Sequence, residues 1–271
     1  MKHSATESGM PLNTLRLKVV IERLLARLFA AKDPPWLLKG GYAMELRYRP
    51  RARTTKDVDL SMKTDPEKLL QRLDRTQHDL QKAADCDFSD YFVFKIGNPT
   101  SELQGAPDGG ARFPVHTLLA GRTFARFHVD VGFGDPVLDV PEALVGQDFL
   151  GFAGISPAQV LAVPRQQQFA EKLHAYTLPW SDRPNTRTKD LVDLLLFATI
   201  DPSSLREIRM AVETTFALRN THAIPGPLPP PPDNWKATFD EMARDAQLDI
   251  TDLSEGFRTV ASFWQQCQRE P

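Results

Sequence analysis

The amino-acid sequence predicts an α/β (α+β) domain over residues 1–150 followed by a helical domain over residues 151–271. Three observations carry this division. The segment Asp57-Val58-Asp59-Leu60-Ser61-Met62 alternates with period two, the mark of a half-buried strand, and segments of helical spacing flank it. Three later runs rich in aromatic and β-branched residues, Tyr91 to Ile96, Phe113 to Leu119 and Phe124 to Val131, extend a sheet. From Ser156 onward the apolar residues recur at helical spacing instead.

In chain order, Leu15, Val19, Val20, Leu24, Leu25 and Leu28 share one face of an amphipathic helix that Pro34-Pro35 closes. Trp36-Leu37-Leu38 leads into Gly40-Gly41, and Tyr42 to Tyr48 reads as a short helix before the basic stretch Arg49 to Lys56. Thr64-Asp65-Pro66-Glu67 has the form of a capping box with an early proline and opens a helix reaching about Ala84. The turn-forming stretch Gly97 to Gly110 separates strands expected to pair antiparallel. A second capping-box pattern, Ser156-Pro157-Ala158-Gln159, introduces the helical part, with helices over 169–178, 189–199 and 205–218. The proline-rich tract between Ala223 and Asn234 lacks the N–H donors of a sheet and reads as an extended linker, before two last helices from Trp235 and Thr251.

Composition bounds the function. With 41% hydrophobic and 25% charged residues the chain is that of a globular protein able to bury a core. Thirty-three Lys+Arg against 35 Asp+Glu give a net charge of -2, which excludes nucleic-acid binding through bulk charge and leaves room for a local basic patch. Cys86 and Cys267 lie far apart without metal-ligand spacing, so neither a disulfide scaffold nor a structural zinc is expected, and a reducing, cytoplasmic setting fits. The N-terminus has no apolar signal core, and no run of about 18 uncharged apolar residues offers a membrane span.

The chemistry concentrates in a few segments. Gly40-Gly41 ahead of a helix lets backbone N–H groups approach phosphate closely, with the helix dipole adding positive charge. On a strand, Asp57 and Asp59 project to the same side while Val58 and Leu60 pack on the other. A carboxylate pair of this kind suits Mg²⁺, which joins one or two carboxylates to the phosphates of a nucleotide. Asp130, within Phe127-His128-Val129-Asp130-Val131, supplies a candidate third metal ligand from another strand. Arg47, Arg49, Arg51, Arg53 and Lys56 form a cationic run suited to triphosphate or RNA phosphates. By contrast, Asp85-Cys86-Asp87 lacks the flanking apolar alternation and reads as a solvated loop.

The order Gly-Gly, then Asp-x-Asp, then an aspartate within a later apolar strand resembles the polymerase-beta-like nucleotidyltransferase superfamily. More closely, Lys39-Gly40-Gly41-Tyr42-Ala43-Met44, Arg53 to Leu60, Glu171-Lys172-Leu173-His174-Ala175 and Lys189-Asp190-Leu191-Val192-Asp193-Leu194 resemble the AbiEii/AbiGii family of nucleotidyltransferase toxins. The resemblance implies a mixed sheet with a helical C-terminal part, and nucleotidyl transfer from a magnesium-bound nucleoside triphosphate. It places Thr55 and Asp57 at the Ser/Thr-x-Asp positions of the catalytic strand, Lys172 on the triphosphate, and Asp190 where it orients that lysine, with either Asp190 or Asp193 facing the site. The expected site is therefore Asp57, Asp59, Lys172 and Asp190 for catalysis, Gly40, Gly41, Thr55 and Lys56 for the nucleotide, and Asp57, Asp59 and Asp130 for the metal. The family's members that modify transfer RNA, together with the basic run, point to an RNA acceptor such as the tRNA 3′ end, and a toxin–antitoxin or phage-defence setting implies a cognate antitoxin. A protein hydroxyl as acceptor, or an inactive nucleotide-binding interaction module, are the rival readings.

Overall fold

Apolar side chains at helical spacing wind Leu12–Leu28 into α1, and the sheet packed against it supplies the core. The computed structural model describes residues 10–62, 69–103, 106–179, 185–201 and 203–270. They form two compact units. The first comprises residues 1–46, 55–135 and 141–162, and the second residues 47–54, 136–140 and 163–271.

The first unit is built on one eight-stranded sheet: β1 (Trp36–Lys39), β2 (Val58–Met62), β3 (Phe92–Ile96), β4 (Ser101–Glu102), β5 (Gly110–Leu119), β6 (Arg122–Phe133), β7 (Glu142–Val145) and β8 (Gln159–Ala162). Its order is β3-β5-β6-β2-β1-β8-β7, with β4 paired to β5. The sheet is mixed, because β2 runs parallel to β6 and β8 parallel to β1, while the remaining pairs are antiparallel. Helices α2 (Gly40–Tyr48) and α3 (Leu69–Ala84) follow β1 and β2. The capping box expected at Thr64-Asp65-Pro66-Glu67 lies outside the described residues. Ser156-Pro157-Ala158-Gln159 does not open a helix. Ala158, Val160 and Ala162 are buried in alternation, and Gln159–Ala162 pairs on both sides as β8, so sheet pairing overrides the local capping pattern.

In the second unit the apolar spacing yields α4 (Arg165–Thr177), α5 (Thr188–Ile200), α6 (Leu205–Arg219), α7 (Lys236–Asp245) and α8 (Leu253–Arg269). A capping box does form on α6, where Ser204 and Glu207 exchange side-chain and backbone hydrogen bonds. Buried residues on every side of α5 make it the central helix, and Phe197 meets Phe169 of α4 edge-on at 5.6 Å. The proline tract is tied down. Its carbonyls accept from donors on the helices, Trp264 Nε1 to Pro225 at 3.0 Å and Tyr176 Oη to Pro229 at 2.7 Å, and Leu228 is buried.

Among the described residues no helix is long and apolar enough to cross a membrane. Several charges of α1 are nonetheless buried, and each finds a partner. Lys18 pairs with Glu45, and Glu22 accepts from Tyr42 Oη and from the amides of Gln147 and Ala158. Arg23 and Arg27 converge on Asp90 at 2.7 and 2.6 Å. Burial raises the Asp90 pKa, but hydrogen bonds from Arg27, Arg23 and the Phe92 amide outweigh it and hold the carboxyl below its usual range. The folded-state value therefore lies below the unfolded one of about 3.9, so the stabilisation is complete above roughly pH 4 and is lost as pH falls through the folded-state value. Asp90→Ala, which strands two buried guanidinium groups, is expected to lower the unfolding free energy at pH 7 by about 3–5 kcal/mol. Urea unfolding at pH 7 and at pH 3 checks this, the gap between wild type and variant shrinking at the lower pH.

Candidate active site

The site begins with strand register. Pairing of β1 with β2 sets Lys39 opposite Asp59, pairing of β2 with β6 sets Asp59 opposite Asp130, and pairing of β6 with β5 sets Asp130 opposite Arg112. Residues in register share a face, so four adjacent strands present a transverse row whose charges read plus, minus, minus, plus. The flanking positions point the other way, and Val58, Leu60, Val129, Val131, Ala111 and Phe113 are all buried in the core. Asp57, immediately before β2 and two residues from Asp59, is exposed.

Gly40 makes room for the row. Its φ is +66°, and a Cβ there would stand 1.9 Å from Asp59 Oδ2, so the Asp59 carboxylate lies directly against the backbone at the start of α2. Gly41 is buried in the first turn of the same helix, whose N-terminal dipole favours negative charge. At the other side Lys39 Nζ reaches Asp135 Oδ2 at 2.5 Å, crossing above Gly132, where a Cβ would lie 3.2 Å from that nitrogen.

Asp130, expected as a third metal ligand, meets a different partner. Arg112 Nε and Nη2 donate to its two oxygens at 2.8 and 2.7 Å. The Arg112 pKa is raised, first by the hydrogen bond with Asp130, against the lowering effect of burial, and then by the charges of Asp130, Asp57 and Asp59. Arg112 thus pairs directly with Asp130 at the end of the row. Among the described residues no group of three or more His, Cys, Asp or Glu side chains is placed to hold a metal ion. Asp57 and Asp59, two residues apart, are hard oxygen donors of the kind a divalent cation takes, and the Asp59 carboxylate rests in the cradle that Gly40 leaves open.

Two expected phosphate contacts have other surroundings. Thr55 is buried, its hydroxyl accepts the Asp57 amide at 3.4 Å, and its own amide donates to Glu45 at 3.2 Å, so it shapes the lead-in to β2. Lys56 is exposed and lines a groove with Asn13, Thr14, Arg16, Phe124 and Arg126. The cationic run around it is partly used up within the second unit. Arg47 donates to Gln168 Oε1 and to the Val163 carbonyl, and Arg53 holds Asp193 through two bonds of 3.0 Å.

The second unit brings together Lys172 of α4 and Asp190 of α5. Lys172 Nζ lies 2.8 Å from Asp190 Oδ1 and 2.8 Å from Asp193 Oδ2, so both aspartates face the lysine. Burial would lower the Lys172 pKa, but the two carboxylates outweigh it and raise the value, keeping the ammonium charged. Burial likewise raises that of Asp193, and Lys172 and Arg53 override it downward. Lys39, Arg112 and the Arg53–Asp193 pair escaped the sequence reading. The signal for Arg112 was its place on the alternating strand that ends at Leu119, and for Lys39 its position directly before the glycine turn.

Gly40→Ala is expected to cost about 1–3 kcal/mol of stability, since alanine resists the left-handed conformation and its methyl displaces Asp59. Thermal unfolding checks the stability, and nucleotide titration, expected to weaken at least about tenfold, checks the displacement of Asp59.

A family model described as the AbiEii nucleotidyl transferase toxin of type IV toxin–antitoxin systems matches residues 23–265. Among solved structures, the chain is similar to MenT4, a nucleotidyltransferase toxin of Mycobacterium tuberculosis, at TM-score 0.59 and 18% identity, covering 96% of this chain and 85% of that one. A cyclic dinucleotide synthase of Elizabethkingia meningoseptica aligns over 91% of this chain and 75% of its own at 15% identity and TM-score 0.26. No curated protein sequence matches.

Proposed function

We propose that this chain, which belongs to the AbiEii family of nucleotidyl transferase toxins of type IV toxin–antitoxin systems, transfers a nucleotidyl group from a magnesium-bound nucleoside triphosphate to a hydroxyl of RNA, such as the tRNA 3′ end. Family membership implies a nucleotide substrate and an antitoxin partner. The observation that carries the finer reading is the in-register placement of Asp59 beside Asp130, with Gly40 giving the Asp59 carboxylate its seat and Asp57 two residues before it.

Asp57 and Asp59 would hold Mg²⁺. Bound there, the ion supplies charge neutralisation for the triphosphate and the departing pyrophosphate. Gly40 and Gly41 let the nucleotide approach the start of α2, where the helix dipole favours its phosphates. Lys39 and Arg112 flank the carboxylates with fixed positive charge. Within the second unit, Asp190 and Asp193 keep Lys172, the family-type lysine, charged and oriented.

An RNA acceptor is supported by the groove that holds Lys56, the neighbour of Asp57. Arg16 and Arg126 line it too, and the Arg16 guanidinium lies 4.9 Å over the Phe124 ring, so cations and an aromatic face stand side by side. Phosphodiester backbones bind to such surfaces without base reading.

The test incubates purified protein with each α-labelled nucleoside triphosphate, Mg²⁺, total RNA and a protein extract. Label is expected in RNA; label in protein alone overturns the RNA acceptor. Asp57→Asn, at an exposed position, is expected to reduce transfer by about 100-fold or more while the unfolding midpoint stays unchanged.

A further inference from the structure

Nucleotidyl transfer sites of the two-metal kind use converging carboxylates to hold two divalent cations roughly 3.5–4 Å apart. The third carboxylate of the row, Asp130, already has an arginine nitrogen on each of its oxygens. Arg112 donates Nε–H to Asp130 Oδ1 at 2.8 Å and Nη2–H to Oδ2 at 2.7 Å, the fork-on-fork geometry in which a guanidinium binds a carboxylate most firmly.

Three features separate this pair from an ordinary structural ion pair. It stands in register with Asp59 on rigid neighbouring strands, so its place is set by the sheet and not by a loop. It is open, with 40% of the Arg112 side chain and 13% of that of Asp130 exposed, on the face opposite the core. And the guanidinium feels the charges of Asp57 and Asp59 as well as that of its partner. Arginine stays protonated under all working conditions, so this positive charge is permanent. Along the row Arg112 thus supplies a fixed positive charge on the Asp130 side, where a second cation would otherwise be called for.

We infer that Arg112 is a built-in substitute for a second metal ion, so that the site takes one divalent cation, on Asp57 and Asp59, while Asp130 serves to position Arg112. The inference rests on the magnesium-nucleotide reading above and deepens it. It makes Asp130 a positioning residue and not a metal ligand.

Mn²⁺ is the probe. The full chain is titrated with Mn²⁺ at saturating non-hydrolysable nucleoside triphosphate, with free and bound ion counted by electron paramagnetic resonance. Wild type is expected to bind one Mn²⁺ per chain, without the exchange-coupled signal of a close metal pair. Asp130→Asn is expected to keep that count with less than about a tenfold change in affinity, whereas Asp57→Asn loses the bound ion. Arg112→Met, which releases the Asp130 carboxylate, is expected to raise the count to two with a coupled signal, and Arg112→Lys to return it to one. Two ions in wild type overturn the inference and leave the magnesium-nucleotide reading standing. No bound ion in wild type overturns both. A count of one in a folded Arg112→Met, its fold checked by thermal unfolding, overturns the substitution of arginine for metal; should that variant not fold, the wild-type count and Asp130→Asn decide.

Discussion

The alignment of β2 against β6 is the constraint on which the candidate site depends. Because side chains alternate along a strand, a slip of one residue would turn Asp59 into the core and bring Val58 or Leu60 out beside Asp130. The apolar faces of β2, β5 and β6 exclude that slip by being buried on one side only. The hydrophobic effect thus sets the positions of the charged groups: the carboxylates are adjacent because the valines and leucines between them have a single favourable place to go. Gly40 then resolves the remaining conflict, between a carboxylate at position 59 and a helix that must begin beside it.

Buried charge recurs in both units under the same rule. Asp90 answers two arginines of α1, and Asp193 answers Lys172 and Arg53. An uncompensated charge in either place would be costly, so the pairs define which packing is acceptable even where their net contribution to stability is small. In the first unit this ties α1 to the start of β3. In the second it draws α4, α5 and residue 53 together, and it holds Lys172 in one protonation state.

The patterns legible from sequence were the local ones. Period-two alternation exposed β2, and the aromatic runs exposed β3, β5 and β6. Helical spacing found α4 to α8 of the second unit. What escaped was set by pairing between distant segments. Arg112 lies 53 residues after Asp59 and meets the row only through β6, a relation that no local period encodes. Gln159 follows a sequence fit to cap a helix, but edges of β1 and β7 await it and the strand wins. The cationic run before Asp57 looked like one patch, whereas Arg47 and Arg53 are committed to partners more than a hundred residues away.

The contacts of Glu22 impose an order on synthesis. Its carboxylate accepts the amides of Gln147 and Ala158, and β8, ending at Ala162, lies beside β1. The chain through Ala158 must therefore have been made before Glu22 finds all its partners, more than a hundred residues after α1 itself.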